Sequence, residues 1–341
     1  MSMKKVGICI IGAGRAGSLH AEIYSEHIVN SRVIAVVDSV QEPAMRIAKK
    51  YGADWYINHE EALKRSDVDA VIISTPTFTH ARIAIDAAEA GKHIFCEKPM
   101  ALTLKEADEM IAAARRVGVK LQIGFMRRFD VDFQTAKRMI EEGVIGKPSI
   151  IKSTGHGPGL PPPWACDPKT SIGMLAEVNS HDFDSVRWLM GSNISRVYAE
   201  AEAIAVPELK SRYPDFYDRA VVTLRFANGS LGLIDGGCPV KYGYDARVEV
   251  LGTDGVILIG ELKSQSILVC KKETGAYTST FPSWRDRFKD AYLKEDKHFI
   301  ECIINDRKPL VSGEDGRAAL EAVLAATKSL EEVKPITLPL T

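Results

Sequence analysis

The chain has 341 residues, 45% of them hydrophobic and 26% charged, with a formal net charge of −1. That length predicts two domains on a scale of roughly 100–200 residues each. The near-neutral balance and the absence of any run of five or six like charges exclude a global field that would draw the protein to nucleic acid or a membrane surface.

No apolar segment approaches the roughly 20 residues of a membrane helix. The opening MSMKKVGICIIGAG mimics a signal peptide, but glycines interrupt the apolar stretch and it runs straight into a motif that needs it as a strand. A leader is therefore rejected and a cytoplasmic protein expected. Cys9, Cys96, Cys166, Cys238, Cys270 and Cys302 form no CxxC pair and read as free thiols of a reducing compartment. The eight histidines show no HExxH and no Cys/His ligand spacing, so no metal site is expected.

In chain order, residues 6–11 are a continuous apolar run, as a strand buried on both faces requires. A helix follows over about 15–27, a second apolar strand over 32–38 and a helix over about 42–51. A short strand near Trp55-Tyr56 and a small helix around 60–64 come next. Strands at 69–74, 93–96 and 120–124 then alternate with helices at 80–90 and 104–117. This βαβα alternation predicts a Rossmann-type, doubly wound parallel sheet with right-handed crossovers over residues 1–125.

After Phe125 the pattern changes. A helix over about 133–142 stops at Gly143 and Gly146-Lys147-Pro148, and a glycine- and proline-rich loop occupies 155–163. A helix over about 174–190 ends at Gly191, and strand-like segments follow at 195–205, 218–226, 230–235, 246–251, 255–259 and 267–270. Asn228-Gly229 marks a hairpin between two of them. Helices over about 284–305 and 314–332 close the chain. Strands and helices without alternation read as an α+β domain over 126–341, built on an open, mostly antiparallel sheet. One face of such a sheet is left uncovered, which predicts a homo-oligomer.

Gly12-Ala13-Gly14-Arg15-Ala16-Gly17 is GxGxxG. It follows a predicted strand and opens a predicted helix, the context that turns a weak pattern into a dinucleotide-binding fingerprint. The glycines permit the tight turn, backbone approach to a pyrophosphate and close helix–strand packing. The helix N-terminus offers N–H groups and partial positive charge to phosphate. Asp38, 21 residues beyond Gly17, ends the second strand. Its carboxylate suits ribose hydroxyls and repels a 2′-phosphate, and no arginine adjoins it, so NAD is expected over NADP. Ser74-Thr75-Pro76-Thr77 ends another strand and either borders the nicotinamide half of the cofactor or caps the next helix through Thr77 or Thr79.

Glu97-Lys98-Pro99 follows the strand at 93–96. A lysine at a strand's carboxyl end, held extended by the following proline, either reaches a substrate hydroxyl or sits in a surface turn. GAGRAG, Asp38, STPTFTH, GKHIFCEKP and a helix carrying HDFDSVRWLMG together resemble the glucose-fructose oxidoreductase/inositol dehydrogenase (Gfo/Idh/MocA) family, and Gly313-Glu314-Asp315-Gly316-Arg317 fits it too. The resemblance spans nearly the whole chain. It implies that Lys98 contacts the reacting hydroxyl, that the peptide before Pro99 is often cis, and that His181 is the general base. It further implies an NAD-dependent dehydrogenase of a polyol or sugar, inositol 2-dehydrogenase-like and commonly tetrameric. Lys98 and His181 are then expected to converge beside the nicotinamide.

The chemistry is consistent with these roles. Alcohol oxidation needs a base for the O–H proton, and histidine's ordinary pKa lies near neutrality. An ammonium stabilises developing alkoxide, and the cofactor accepts the hydride. Many polyol dehydrogenases of the family carry aspartate four residues before the histidine, whereas this chain has Glu177. On one continuous helix positions 177 and 181 share a face, so Glu177 counts as a catalytic candidate.

Further candidates carry two readings each. Asn179 meets substrate or is a capping amide. Arg127 and Arg128 bound the substrate pocket or form interdomain ion pairs, and Asp182 and Asp184 serve helix solvation or such pairing. His156 touches substrate from its glycine-rich loop or does not. Trp164 stacks on a sugar ring or packs. Tyr242 and Tyr244 reach a pocket or a neighbouring subunit. Two other functions compete with the dehydrogenase. One is a sugar-processing, glycosidase-like enzyme that uses NAD without net redox change, and the other is a regulator that binds NAD or a sugar without turnover.

Overall fold

The computed structural model describes residues 5–167 and 170–340, so the first four residues of the leader-like stretch lie outside it. Internal packing divides the chain into two units. One comprises residues up to Met126 together with Asp290–Arg317, the other Arg127–Lys289 together with the chain from Ala318 onward. Residues 290–317, assigned to the second domain from the sequence, thus cluster with the first unit.

The first unit alternates β1 (Val6–Ile11), α1 (Arg15–Glu22), β2 (Ser31–Val37), α2 (Gln41–Tyr51), β3 (Asp54–Tyr56), α3 (His59–Leu63), β4 (Ala70–Ile73), α4 (His80–Glu89), β5 (His93–Glu97), α5 (Leu104–Val117) and β6 (Leu121–Gly124). Among the described residues the six strands lie in the order β3-β2-β1-β4-β5-β6, all parallel. β1 and β4 are buried at every position, which explains their unbroken apolar runs. The strand order reverses between β1 and β4, the switch point where such sheets bind ligands beyond their carboxyl ends. α1 ends earlier than expected: residues 23–27 continue as a π-helical turn that buries both Ile23 and Tyr24. α5 begins with a reciprocal capping box between Thr103 and Glu106 and ends at Gly118 in the left-handed region. Beside β6, Ile123 donates to the Val311 carbonyl and Gln122 bridges Ser312, so residues 311–312 cover that sheet edge.

The second unit contains α6 (Val131–Glu141), β7 (Pro148–His156), α7 (Pro163–Cys166), α8 (Met174–Glu177), α9 (Ser180–Met190), β8 (Ile194–Glu202), β9 (Arg219–Phe226), β10 (Leu231–Gly237), β11 (Asp245–Gly252), β12 (Val256–Ile259), and the small hairpin β13 (Val269–Lys271) and β14 (Gly275–Tyr277). α10 (Trp284–Ile304) and α11 (Gly313–Glu332) each have residues in both units, and β15 (Ile336–Thr337) returns to the second. The sheet order is β12-β11-β7-β10-β9-β8-β15. β7 and β10 run parallel and the other neighbours antiparallel, so the open sheet is mixed, with antiparallel pairs dominant. β7, unexpected from the sequence, is an interior strand between β11 and β10.

At the predicted turn, Gly229 adopts φ +88° and its N–H reaches the Phe226 carbonyl, closing the β9–β10 hairpin. α9 packs on β7 and β10. The opposite face carries a cross-strand row, Leu231–Ile150–Leu251–Val256, in register over β10, β7, β11 and β12. Among the described residues no helix is long and apolar enough to cross a membrane.

Candidate functional site

Each unit gathers one set of the expected residues. In the first, β1 delivers the glycine loop into α1. Gly12 sits at φ +100°, and a Cβ there would lie 2.7 Å from the Ser74 carbonyl, so only glycine makes this turn. A Cβ on Gly17 would stand 1.8 Å from the Gly12 carbonyl oxygen, whereas one on Gly14 would meet nothing within 4 Å. Two glycines are thus demanded by internal packing, and the middle one faces open space, as backbone approach to a pyrophosphate requires. α1 has no side-chain cap and no acidic residue in its first turn, which leaves its N-terminal N–H groups and positive dipole end suited to phosphate. These residues fit a dinucleotide.

Asp38, just past β2, accepts the Ala13 N–H through Oδ2 at 2.8 Å and the Val40 N–H through Oδ1 at 2.9 Å. Each oxygen keeps lone-pair capacity for ribose hydroxyls. The Ser74 hydroxyl donates to the Gly12 carbonyl at 3.0 Å, joining the β4 end to the loop. The Thr79 hydroxyl turns back to Thr75 and the Pro76 carbonyl and does not cap α4.

Glu97 and Lys98 lie at the end of β5. The Lys98–Pro99 peptide is cis, and Lys98 is half-buried. The Lys98 N–H donates to Glu97 Oε2 at 3.2 Å. Glu97 is itself buried, and its other oxygen is 3.1 Å from His20 Nε2, so its carboxylate faces inward. The Glu97 carboxylate supports the backbone at Lys98. His80 places its two ring nitrogens 2.8 Å from the Thr75 and Pro99 carbonyls, and its neutral ring donates to one of them, between the Ser74–Pro76 turn and the residue after Lys98. Burial moves the His80 pKa below its ordinary value.

In the second unit the expected helix over 174–190 is two helices. α8 stops at Glu177, Val178 caps it (φ −106°, ψ −54°), Asn179 leaves helical geometry (φ −92°, ψ 0°), and α9 begins at Ser180. Continuous i,i+4 spacing therefore does not relate Glu177 to His181. Glu177 accepts the Ser171 hydroxyl at 2.9 Å, and His181 is buried in the first turn of α9.

Asn179 is wholly buried, with Nδ2 donating to the Gly155 carbonyl and to Asp182 Oδ2. A Cβ on Gly155 would stand 2.6 Å from that nitrogen, and one on Gly236 2.5 Å from Asn179 Oδ1, so the sheet is glycine-floored beneath the amide. The amide of Asn179 thus braces α9 against β7.

Arg127 is buried in the same unit. It is 1% exposed, its guanidinium donates to Asp182 Oδ1 at 2.6 Å and it lies between the Phe133 and Phe288 rings. Arg128 grips Asp184 with two nitrogens. These ion pairs are internal to the second unit, where interdomain pairing was expected.

His156 faces Tyr242 through Nδ1 and Asp235 through Nε2 at 3.0 Å, on β7 itself. The Tyr242 hydroxyl donates to Asp245. Trp164 is half-buried on α7, its carbonyl accepting the Thr170 hydroxyl. Tyr244 is buried beside Arg127.

Two family models match the chain: "Oxidoreductase family, NAD-binding Rossmann fold" over residues 6–125, and "Oxidoreductase family, C-terminal alpha/beta domain" over 137–338. A myo-inositol 2-dehydrogenase of Thermotoga maritima is 36% identical, with 97% of this chain and 98% of the relative aligned. A scyllo-inositol 2-dehydrogenase (NAD(+)) of Bacillus subtilis is also 36% identical, over 98% and 96%. Among solved structures, a scyllo-inositol dehydrogenase from Lactobacillus casei with bound NAD(H) and scyllo-inositol superposes with a TM-score of 0.91 at 26% identity, covering 98% of this chain and 99% of that one. With its glycine loop formed as a dinucleotide requires, the chain belongs to the Gfo/Idh/MocA family of oxidoreductases, and its first domain is an NAD-binding Rossmann fold.

Proposed function

We propose that the protein is an NAD-dependent dehydrogenase that oxidises a secondary hydroxyl of a polyol, in the manner of the inositol 2-dehydrogenases. The observation that carries this reading is identity of 36% along essentially the whole chain with two enzymes of that activity. NAD supplies the hydride acceptor when bound. Gly12, Ala13, Gly14, Arg15, Ala16 and Gly17 hold its pyrophosphate, Asp38 its adenosine ribose, and Ser74, Thr75 and Pro76 its nicotinamide half.

Lys98 donates a hydrogen bond to the reacting hydroxyl and stabilises alkoxide character as it develops. His181 accepts the hydroxyl proton. Glu177 and His156 orient the remaining hydroxyls, and Trp164 offers an apolar face to the ring. The second domain binds substrate and carries the oligomer contact. The in-register row of Leu231, Ile150, Leu251 and Val256 supports assembly through the open sheet face, since an apolar row of that extent favours a covered state. The working form is a cytoplasmic homo-oligomer, a tetramer or dimer.

NADH absorbance across a panel of inositols, hexoses and sugar acids tests the reading, with steady NADH production on a free polyol expected. NAD consumed and regenerated within one turnover of a glycoside, with no NADH released, would favour the glycosidase-like alternative. NAD binding with no absorbance change on any compound would favour a regulator. Elution at monomer mass in gel filtration would overturn the assembly.

A further inference from the structure

We propose that His20, acting through Glu97, is a positioning residue that fixes the backbone from which Lys98 reaches its substrate. The inference rests on the role proposed above for Lys98, and every group in it belongs to the first unit.

His20 lies on α1, the helix that the glycine loop opens, and its side chain has no exposed surface. Nδ1 is 3.0 and 2.9 Å from the two oxygens of Asp296, and Nε2 is 3.1 Å from Glu97 Oε1. Both neighbours are acceptors, and an imidazole donates from both nitrogens only as the imidazolium. Burial alone would lower the pKa of His20, but the two carboxylates outweigh it and raise it to about 10.

The same ion pair holds Glu97 ionised. Burial pushes the Glu97 pKa up, and the hydrogen bond and charge of His20, with Lys98 nearby, bring it below the ordinary value. The remaining groups around the cluster are Tyr24 near Asp296, Glu295 near Tyr24, and Cys96 and His80 near Glu97. The Phe95 and Tyr292 rings pack against the imidazole.

Glu97 converts this anchor into a backbone restraint. While Oε1 is held by His20, Oε2 accepts the Lys98 N–H at 3.2 Å. On its other side, a Cβ at Gly124 would stand 3.1 Å from Oε2, so β6 leaves room for this carboxylate and little more. Remove the donor at Nε2, and Glu97 takes up a proton or turns toward another partner. Either change releases the peptide at Lys98, and misplacement of a reacting group by about 1 Å costs on the order of 100-fold in rate.

The test is His20→Gln in the full-length protein, compared with the wild type by four measurements. These are kcat with the best polyol, NAD affinity by titration, the reductive-methylation rate of Lys98 by peptide mass spectrometry with Lys64 as internal control, and side-chain 15N NMR of His20 at pH 8. The expected result is kcat lower by about 10- to 100-fold with NAD affinity within about 3-fold, a changed labelling rate at Lys98 alone, and both ring nitrogens of wild-type His20 protonated. A kcat and a Lys98 labelling rate equal to wild type would overturn the proposal, as would a neutral His20 in the wild type. Parallel loss of NAD affinity and rate would overturn it too, because that is the signature of a general structural role.

Should His20→Gln fail to fold, Glu97→Gln decides. Its amide cannot accept from His20 and Lys98 with both atoms, so the same kcat loss is expected, and an unchanged kcat refutes the idea. If the wild type turns over no polyol, the dehydrogenase reading fails, while labelling and NMR still decide the positioning.

Discussion

The Asp38 carboxylate accepts the backbone N–H of Ala13 at 2.8 Å, linking the end of β2 to the turn that leaves β1. One side chain therefore shapes the glycine loop and presents negative charge where a dinucleotide ribose is expected. The two roles separate by substitution. Asp38→Asn keeps an acceptor for Ala13 but removes the charge. NAD affinity should fall modestly while discrimination against NADP collapses, with the thermal midpoint lowered only slightly, since the amide loses its second acceptor at the exposed Val40 N–H. Asp38→Ala loses both roles and additionally destabilises the fold by about 1–2 kcal/mol, the usual cost of orphaning a part-buried N–H. Titration of NAD and NADP beside a melting curve checks both. An unchanged coenzyme preference in Asp38→Asn would show that Asp38 serves the loop alone.

Lys98 and His181 have separable kinetic signatures. Lys98→Ala should abolish turnover and leave NAD binding largely intact, because the glycine loop and Asp38 hold the other half of the dinucleotide. His181→Ala should lower kcat by about 10²–10⁴-fold, the usual contribution of a general base, with recovery as pH rises and hydroxide takes the proton. Stopped-flow NADH formation and equilibrium titration of NAD measure the two effects independently. Near-normal turnover in either variant removes that residue from the mechanism.

The first unit was legible because its signals are local. β1 and β4 announce themselves by unbroken apolar runs, and the glycine spacing reports a single turn. The second unit was less so. β7 carries Ser153 and Gly155 on its buried face, since Asp182 and Asn179 occupy the space above them, and an inward face of serine and glycine hides the alternation by which a strand is recognised. The break between α8 and α9 has no proline or glycine to mark it: Asn179 leaves helical geometry where its side chain bonds Gly155 and Asp182. The partners of His20 lie 77 and 276 residues away, beyond the reach of any local pattern. The HDFD segment shows the complementary case: it was found by resemblance, yet two of its acids, Asp182 and Asp184, prove to be partners of Arg127 and Arg128 in the core.

Arg127 makes a prediction about stability. Its guanidinium and the Asp182 carboxylate are both buried, so truncating one partner leaves the other charge in the interior. Arg127→Met should destabilise the protein by about 3–5 kcal/mol, whereas Arg127→Met with Asp182→Leu should recover much of the loss, since a removed pair leaves no unmatched charge. Denaturant unfolding of both variants tests this. A double variant no more stable than the single one would mean that the hydrogen bonds of Asp182 to Ser153 and Asn179, rather than the ion pair, dominate.

The raised pKa of His20 makes alkaline stability a readout of its charge. In the unfolded chain the imidazole loses its proton near its ordinary value of 6.5, whereas in the fold it keeps the proton to about pH 10. Its contribution is therefore fully present below pH 6.5 and declines as pH rises toward 10, because over that interval the folded state binds the extra proton. One such proton changes folding free energy by about 1.4 kcal/mol per pH unit. Buried Cys9, Cys96 and Tyr24, whose pKa values are also raised, act in the same direction but only above about pH 8.5–9, where free thiols and then phenols begin to ionise. The informative window is thus pH 7–8.5. There the denaturation midpoint of the wild type should fall steadily with pH, and that of His20→Gln should stay nearly flat. Equal slopes would mean that the folded state carries no extra proton at His20, and that Asp296 and Glu97 meet a neutral ring.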